Sequence, residues 1–247
     1  MTNPDYLKCP KSDTVIEIRT DEAAEKSPSC KKYCKKKHFL KRSTASSSTS
    51  DKKNAKLKKL MQYAKKIGST EAEIISTINI VVEEKLANMC LEPRCENYGL
   101  SKNCPPHVSG PSQFKKQLEN FNQAIVFKID VPSEILFYSE RRELFQLLHE
   151  IAAGIEQYAV KMGFKSSKAY AGGSCKKIFC YDHPECLALS EKGKCRNPKY
   201  ARPSMSGFGI NVLKLMETAG LTMNMATPDT DSNEIKMGSV CGLVLIC

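Results

Sequence analysis

Read for the alternation of apolar and polar positions, the chain changes character near residue 50. Ala55, Leu60, Met61, Ala64 and Ile67 recur at helical spacing among lysines and stop at Gly68, which predicts an amphipathic helix with a glycine end. Ile74–Val82 (IISTINIVV) is β-branched and too short for a buried helix, so it predicts a strand. After a cysteine-bearing loop come a short helix over Pro111–Phe121, beginning near Ser109, and a strand over Ala124–Val131. Leu144, Leu147, Leu148, Ile151, Ile155, Tyr158 and Ala159 form one apolar stripe from about Ser139 to Met162, the longest helical signal. Lys168–Ala171 reads as a short strand ending at Gly172-Gly173, followed by a second cysteine loop and a helix from about Ser204 to Ala219. Val240–Ile246 is apolar on both faces and is therefore expected inside a sheet. Strands alternating with helices predict an α/β or α+β domain: a small mixed sheet of about four strands with helices packed on it and two cysteine-rich loops.

Composition sharpens the division at residue 50. The 247 residues are 41% hydrophobic, enough to fill a core, so wholesale disorder is excluded. No apolar run approaches the roughly 18 residues that cross a bilayer, and Met1–Asp5 has neither region of a secretory signal, so no membrane span and a cytoplasmic location are expected. The formal charge of +11 suggests nucleic acid or a membrane surface as partner. However, residues 1–66 hold 18 Lys and Arg against 7 Asp and Glu, and residues 67–247 hold 20 of each. All of the excess lies in a segment carrying Lys31-Lys32-Tyr33-Cys34-Lys35-Lys36-Lys37 and the Ser/Thr run Ser43–Ser50. Residues 1–50 therefore read as a disordered basic N-terminal arm and linker, and residues 51–247 as the working domain. A solvating tail is preferred to a nucleic-acid-binding arm, because only Tyr33 and Phe39 offer stacking near the lysines.

The cysteines lie elsewhere. Of 12, Cys90, Cys95 and Cys104 form Cys-x4-Cys-x8-Cys, and Cys175, Cys180, Cys186 and Cys195 form Cys-x4-Cys-x5-Cys-x8-Cys. In a reducing compartment thiols serve metals or redox chemistry more often than disulfides. The absence of Cys-x-x-Cys argues against a zinc ribbon and a thioredoxin-type pair. Free cysteines are often small core residues, but charged neighbours such as Arg94, Glu96, Lys176, Lys177, Asp182 and Glu185 do not suit that role here. Seven thiols in turn-rich loops, with Asn103-Cys104-Pro105-Pro106 and Cys195-Arg196-Asn197-Pro198 stiffening them, suit a metal or iron–sulfur cluster, with structural zinc as the alternative. Cys241 and Cys247 flank Gly242-Leu243-Val244-Leu245-Ile246 and read as core. Cys9, Cys30, Cys34 and His38 could form a separate zinc site, which their Lys-rich setting disfavours.

Three motifs carry a resemblance: Cys90-x4-Cys95-x2-Tyr98-Gly99-x4-Cys104-Pro105-Pro106, Tyr170-Ala171-Gly172-Gly173-Ser174-Cys175, and Cys195-Arg196-Asn197-Pro198 continuing through Ala201-Arg202-Pro203-Ser204-Met205 to Gly209-Ile210-Asn211-Val212. Over roughly residues 55–247 the chain resembles the "predicted metal-binding protein" family, domain of unknown function 2284, found largely in anaerobes. The resemblance implies metal or iron–sulfur binding by the seven thiols and no particular reaction. Four thiolates close one cubane (4Fe-4S) cluster or one zinc, while three leave a position open. The simplest assignment closes the second group and leaves the first open. His107 and His183 are the nearby choices for an eighth ligand, though an ordinary loop histidine is preferred for each.

Arg196 and Arg202 flank the last thiol and read as cofactor-binding; for Arg202, pairing with a carboxylate or cluster sulfur is preferred to a substrate-anion site. Ser204 or Ser206 is expected to cap the following helix. Gly172-Gly173 either lets backbone approach a cluster or is simple turn chemistry. Three functions follow: an iron–sulfur protein of electron transfer with a redox partner protein, a metalloenzyme with an open three-cysteine iron site, or a zinc-stabilised module with a nucleic-acid-binding arm.

Overall fold

The computed structural model describes residues 6–8, 15–17, 43–138, 140–191, 193–225 and 237–247. The chain divides into two compact units, Met1–Ser50 and Asp51–Cys247. In the first, β1 (Tyr6–Lys8) pairs antiparallel with β2 (Val15–Glu17). Cys9, Cys30, Cys34, His38 and most of the arm expected to be disordered lie outside the described residues. Helix α1 (Ser43–Lys66) already starts at the Ser/Thr run that composition reads as a linker. Propagating a helix adds one hydrogen bond per residue fixed, and serine is only a modest helix breaker, so the Lys/Leu segment extends backward through it.

The second unit is built on a four-stranded sheet: β3 (Glu71–Ser76), β4 (Gln123–Pro132), β5 (Lys168–Ala171) and β6 (Met237–Ile246), in the order β3-β4-β6-β5. Every pairing is antiparallel, so of the two classes expected the fold is α+β. β6 lies between β4 and β5, as its two apolar faces require. Ile125, Phe127 and Ile129 of β4 and Val240, Val244 and Ile246 of β6 face one core with Leu57, Leu60 and Ala64 of α1. Leu148, Ile151 and Ile155 of α4 (Arg141–Lys161) complete that layer. The alternate residues, Ala124, Val126, Leu243 and Leu245, face a second core with Phe114 of α3 (Gly110–Leu118), and Leu215 and Met216 of α6 (Val212–Thr218). The period-two alternation thus gives helices on both sides of one sheet. No helix among the described residues is long and apolar enough to cross a membrane.

Two elements differ from expectation. β3 stops at Ser76 because its partner β4 begins at Gln123, directly opposite. Beyond that point there is no ladder to join, and Thr77–Asn79 turns as 3₁₀ with Thr77 Oγ1 donating to the Phe121 carbonyl at 2.6 Å. The helix expected over Ser204–Ala219 is broken into a 3₁₀ turn (Met205–Phe208) and α6 by Gly209, whose φ of 68° only glycine adopts easily. Asn211, not Ser204 or Ser206, caps α6, its Oδ1 accepting from Lys214 N at 3.0 Å.

Candidate metal centre

Each cysteine group hangs from a sheet edge or an adjoining turn. The first follows α2 (Glu84–Asn88), a helix with no clear sequence signal, and tight turns bring Cys95 N to Cys90 O (3.1 Å) and Cys104 N to Ser101 O (3.2 Å). The second leaves β5 through Gly172-Gly173, and Cys175 is not in a loop but opens the short helix α5 (Cys175–Phe179). Gly173 has φ 82°, and a Cβ there would stand 2.7 Å from the Phe145 ring of α4. Close packing of α4 against this turn requires a glycine there.

Three segments meet at the end of β5. Ala171 N donates to Pro203 O and Ser204 N to Asn103 O, both at 3.1 Å, stitching the first loop and the segment after Cys195 to the strand. Here the two cysteine groups meet. Cys104 Sγ donates to Ser174 Oγ (3.6 Å), Cys175 Sγ donates to Ser101 Oγ (3.7 Å), and Asn103 Nδ2 donates to Cys175 Sγ (3.5 Å). Farther on, Asn197 joins two more thiols: its backbone N donates to Cys195 Sγ (3.4 Å) and its Nδ2 to Cys180 Sγ (3.6 Å). Cys186 is half-buried nearby in sequence, and its sulfur has no polar partner among the described residues. All nine described cysteines are free thiols.

The polar setting is confirmed by burial. Of the ten buried polar or charged residues among those described, five (Ser101, His149, Ser174, Arg202 and Ser204) surround this junction. His149, on the sheet-facing side of α4, is its keystone: Nδ1 accepts from Arg202 N (3.1 Å), and Nε2 donates to Gly172 O (3.1 Å). Burial, with the Arg202 charge assisting, pushes its pKa down to about 4, so the ring is neutral and in one tautomer. Glu156 takes Arg202 Nε at 2.8 Å and Nη2 at 2.6 Å, and its other oxygen accepts from Ala169 N (2.8 Å). The Arg202 guanidinium is therefore committed to a carboxylate. Arg196 Nη1 donates to Glu185 O (3.0 Å). His107 Nε2 lies 3.3 Å from Gly99 O, and His183 Nε2 lies 3.7 Å from Asp182; His107 is exposed and His183 half-buried.

The donor set fits a soft metal in its chemistry. Burial first, then the like charges of Cys95 and Cys104, raise the pKa of Cys90. Burial pushes Cys175 up to about 11, Cys104 and Cys195 adding to the rise while Ser101 and Asn103 oppose it. Thiolates crowded this way repel one another, and a cation relieves that repulsion. The N–H···S contacts from Asn103 and Asn197 are of the kind that tune metal-bound sulfur. Among the described residues no three His, Cys, Asp or Glu side chains converge as a coordination shell for one ion, so the thiols stand as neighbours and not yet as a cage. Cys90, Cys95 and Cys104 line a cavity of about 740 Å³, while the other four thiols do not.

Cys241 sits inside β6, where burial alone raises its pKa to about 12, a core residue as its flanks indicate. Cys247 is exposed at the end of the chain, contrary to the core reading, because β6 ends at Ile246. His149 and Glu156 lie outside the cysteine loops and their motifs, and the one signal for His149 in the sequence is that it interrupts the apolar face of a helix.

Residues 73–246 match the family described as "Predicted metal-binding protein", domain of unknown function 2284, a span of well over half the chain. No curated protein and no solved structure matches it.

Proposed function

The chain belongs to that predicted metal-binding family, and from this premise we propose that it is a cysteine-ligated iron–sulfur protein of redox metabolism. The observation that carries the reading is the meeting of the Cys104 and Cys175 loops through Ser101, Asn103 and Ser174, which places members of two groups distant in sequence side by side. Cys90, Cys95, Cys104, Cys175, Cys180, Cys186 and Cys195 would hold the metal, and a bound cluster would supply one-electron chemistry. Asn103 and Asn197 donate to the sulfurs, which favours the thiolate form, and the Ser101 and Ser174 hydroxyls accept from Cys175 and Cys104 and orient them. His149 and the Arg202–Glu156 pair fix the backbone that carries them. A cytoplasmic location and a redox partner protein accompany this reading, since free thiols persist in a reducing compartment.

The cavity favours a second reading. Only the first group opens into it, and a three-thiol group with solvent access is the arrangement of a metalloenzyme whose iron has a free position.

Anaerobic purification followed by iron, zinc and acid-labile sulfide analysis tests both. Iron with sulfide and a visible charge-transfer band are expected; zinc without iron would sink both and leave a zinc-stabilised interaction module. Replacing Cys90 and Cys195 in turn by Ser is expected to lower the metal content each time. If one replacement leaves it untouched, that group is not ligating.

A further inference from the structure

Within the second unit the surplus positive charge is concentrated on one helix: residues 51–66 of α1 hold seven lysines against the single carboxylate of Asp51, while residues 67–247 are neutral. Leu57, Leu60 and Ala64 turn one side of this stretch into the core. At about 100° per residue, the opposite side then carries Lys52, Lys59 and Lys66 in one row and Lys58 and Lys65 in a second, with Ala55 and Gln62 between them. Each of these residues is exposed. The helix is anchored at its flank, where Lys56 Nζ donates to Met162 O at the end of α4 (2.7 Å). Other surface lysines find carboxylates, as Lys85 finds Glu83 and Lys177 finds Glu96. No lysine of this stretch pairs with a carboxylate among the described residues. Five like charges held on one rigid face repel one another, and a polyanion laid along them relieves that repulsion.

We propose that this face of α1 binds the phosphate backbone of double-stranded DNA without regard to sequence. A bilayer surface is a poor match, because an interfacial helix buries its apolar side among the lipids and that of α1 lies in the core. A single strand needs aromatic platforms. The one aromatic residue of the stretch, Tyr63, is stacked on Tyr158, ring centroids 4.4 Å apart. A duplex asks only for cations. A helix with its side chains is about 10–12 Å across and the major groove of B-form DNA is about 12 Å wide, so the two rows of lysines face the phosphates on opposite walls of that groove. The major groove of duplex RNA is too deep and narrow for this. Lysine contacts to phosphate position a protein on the duplex and read no base.

Fluorescence anisotropy on the full chain, purified anaerobically and with its metal content measured, tests this with labelled DNA duplexes of about 20 base pairs in two unrelated sequences. The same sequences as single strands and as duplex RNA, and phosphatidylserine vesicles added as competitor, complete the set. The two DNA duplexes are expected to bind alike, and about fivefold or more tightly than the RNA duplex or the single strands. Affinity should fall as salt rises from about 50 to 200 mM, and the log–log slope should shrink by about one for each lysine contact removed. The combined Lys52→Gln, Lys59→Gln and Lys66→Gln variant should therefore lose about three from the slope, and Lys58→Gln with Lys65→Gln about two. Lys115→Gln with Lys116→Gln, an exposed pair on α3 across the sheet, should leave it unchanged. Every lysine replaced is exposed, so the variants fold, and thermal unfolding checks this. A triple variant with the parent's slope, tighter binding of RNA or single strands, or displacement of the DNA by vesicles overturns the proposal. None of these residues belongs to the metal centre, so such a failure leaves the iron–sulfur reading standing.

Discussion

Cys175 and Cys241 are both buried, 8% and 4% exposed, yet they belong to different kinds of interior. Cys241 lies between Val240 and Gly242 in the middle strand of the sheet, where nothing but burial acts on its thiol. Cys175 lies among Ser101, Asn103, Ser174 and Cys104, so that hydrogen bonds and neighbouring sulfurs act on it as well. Burial by itself therefore says little about a cysteine. What separates a packing thiol from a ligand is whether the surrounding groups can stabilise a charge on it.

The largest expected effect breaks this comparison outright. Cys175→Ser keeps the size and the contact to Ser101, so the fold should persist while about half or more of the bound metal is lost. Cys241→Ala should leave the metal content at the parent level and lower stability by about 1 kcal/mol through the small cavity it opens. Metal analysis and denaturant titration on the two variants read both quantities. Metal lost from Cys241→Ala and kept by Cys175→Ser would invert the assignment.

Acid should sharpen the difference between the junction and the sheet. His149 has a depressed pKa of about 4 against an ordinary 6.5. Between those values the unfolded chain binds a proton that the folded chain refuses, so stability falls as the pH drops through this window and levels off below it. The full loss is on the order of 3 kcal/mol. Urea titrations across that range should show it, and His149→Leu, though less stable at neutral pH, should lose this part of the slope. An unchanged slope would place the buried proton site elsewhere.

A smaller effect concerns the pair beneath the junction. Glu156→Gln leaves Arg202, with 10% of its side chain exposed, charged and uncompensated, at a cost of roughly 2 kcal/mol. The same change in the exposed Arg142–Glu143 pair should be nearly silent. Thermal unfolding of Glu156→Gln and Glu143→Gln compares the two, and equal shifts would mean that the buried pair does not support the site.

Much of this architecture is legible in the chain. The stripe from Leu144 to Ala159 and the four β-rich segments, the two-sided apolar run at Val240–Ile246 among them, predict the longest helix of the second unit, the four strands of its sheet and the central place of β6. They do so because periodicity is a local consequence of which face must leave water. The division of the cysteines is equally plain, since the seven of the two central groups stand among charged residues while Cys241 stands in an apolar run. Other features depend on partners far away in sequence. β3 ends where β4 begins, Gly173 is shaped by Phe145, and Arg202 finds Glu156 on another element. The same holds for the point that matters most to function: spacing divides the thiols into groups of three and four, while the packing of Asn103 and Ser174 sets Cys104 against Cys175 and turns only Cys90, Cys95 and Cys104 toward the cavity. Residue type determines which groups can bind a metal; which loops lie side by side is decided by long-range packing, because Cys104 and Cys175, some 70 residues apart, come to share Ser101, Asn103 and Ser174 only when the sheet and α4 bring their loops together.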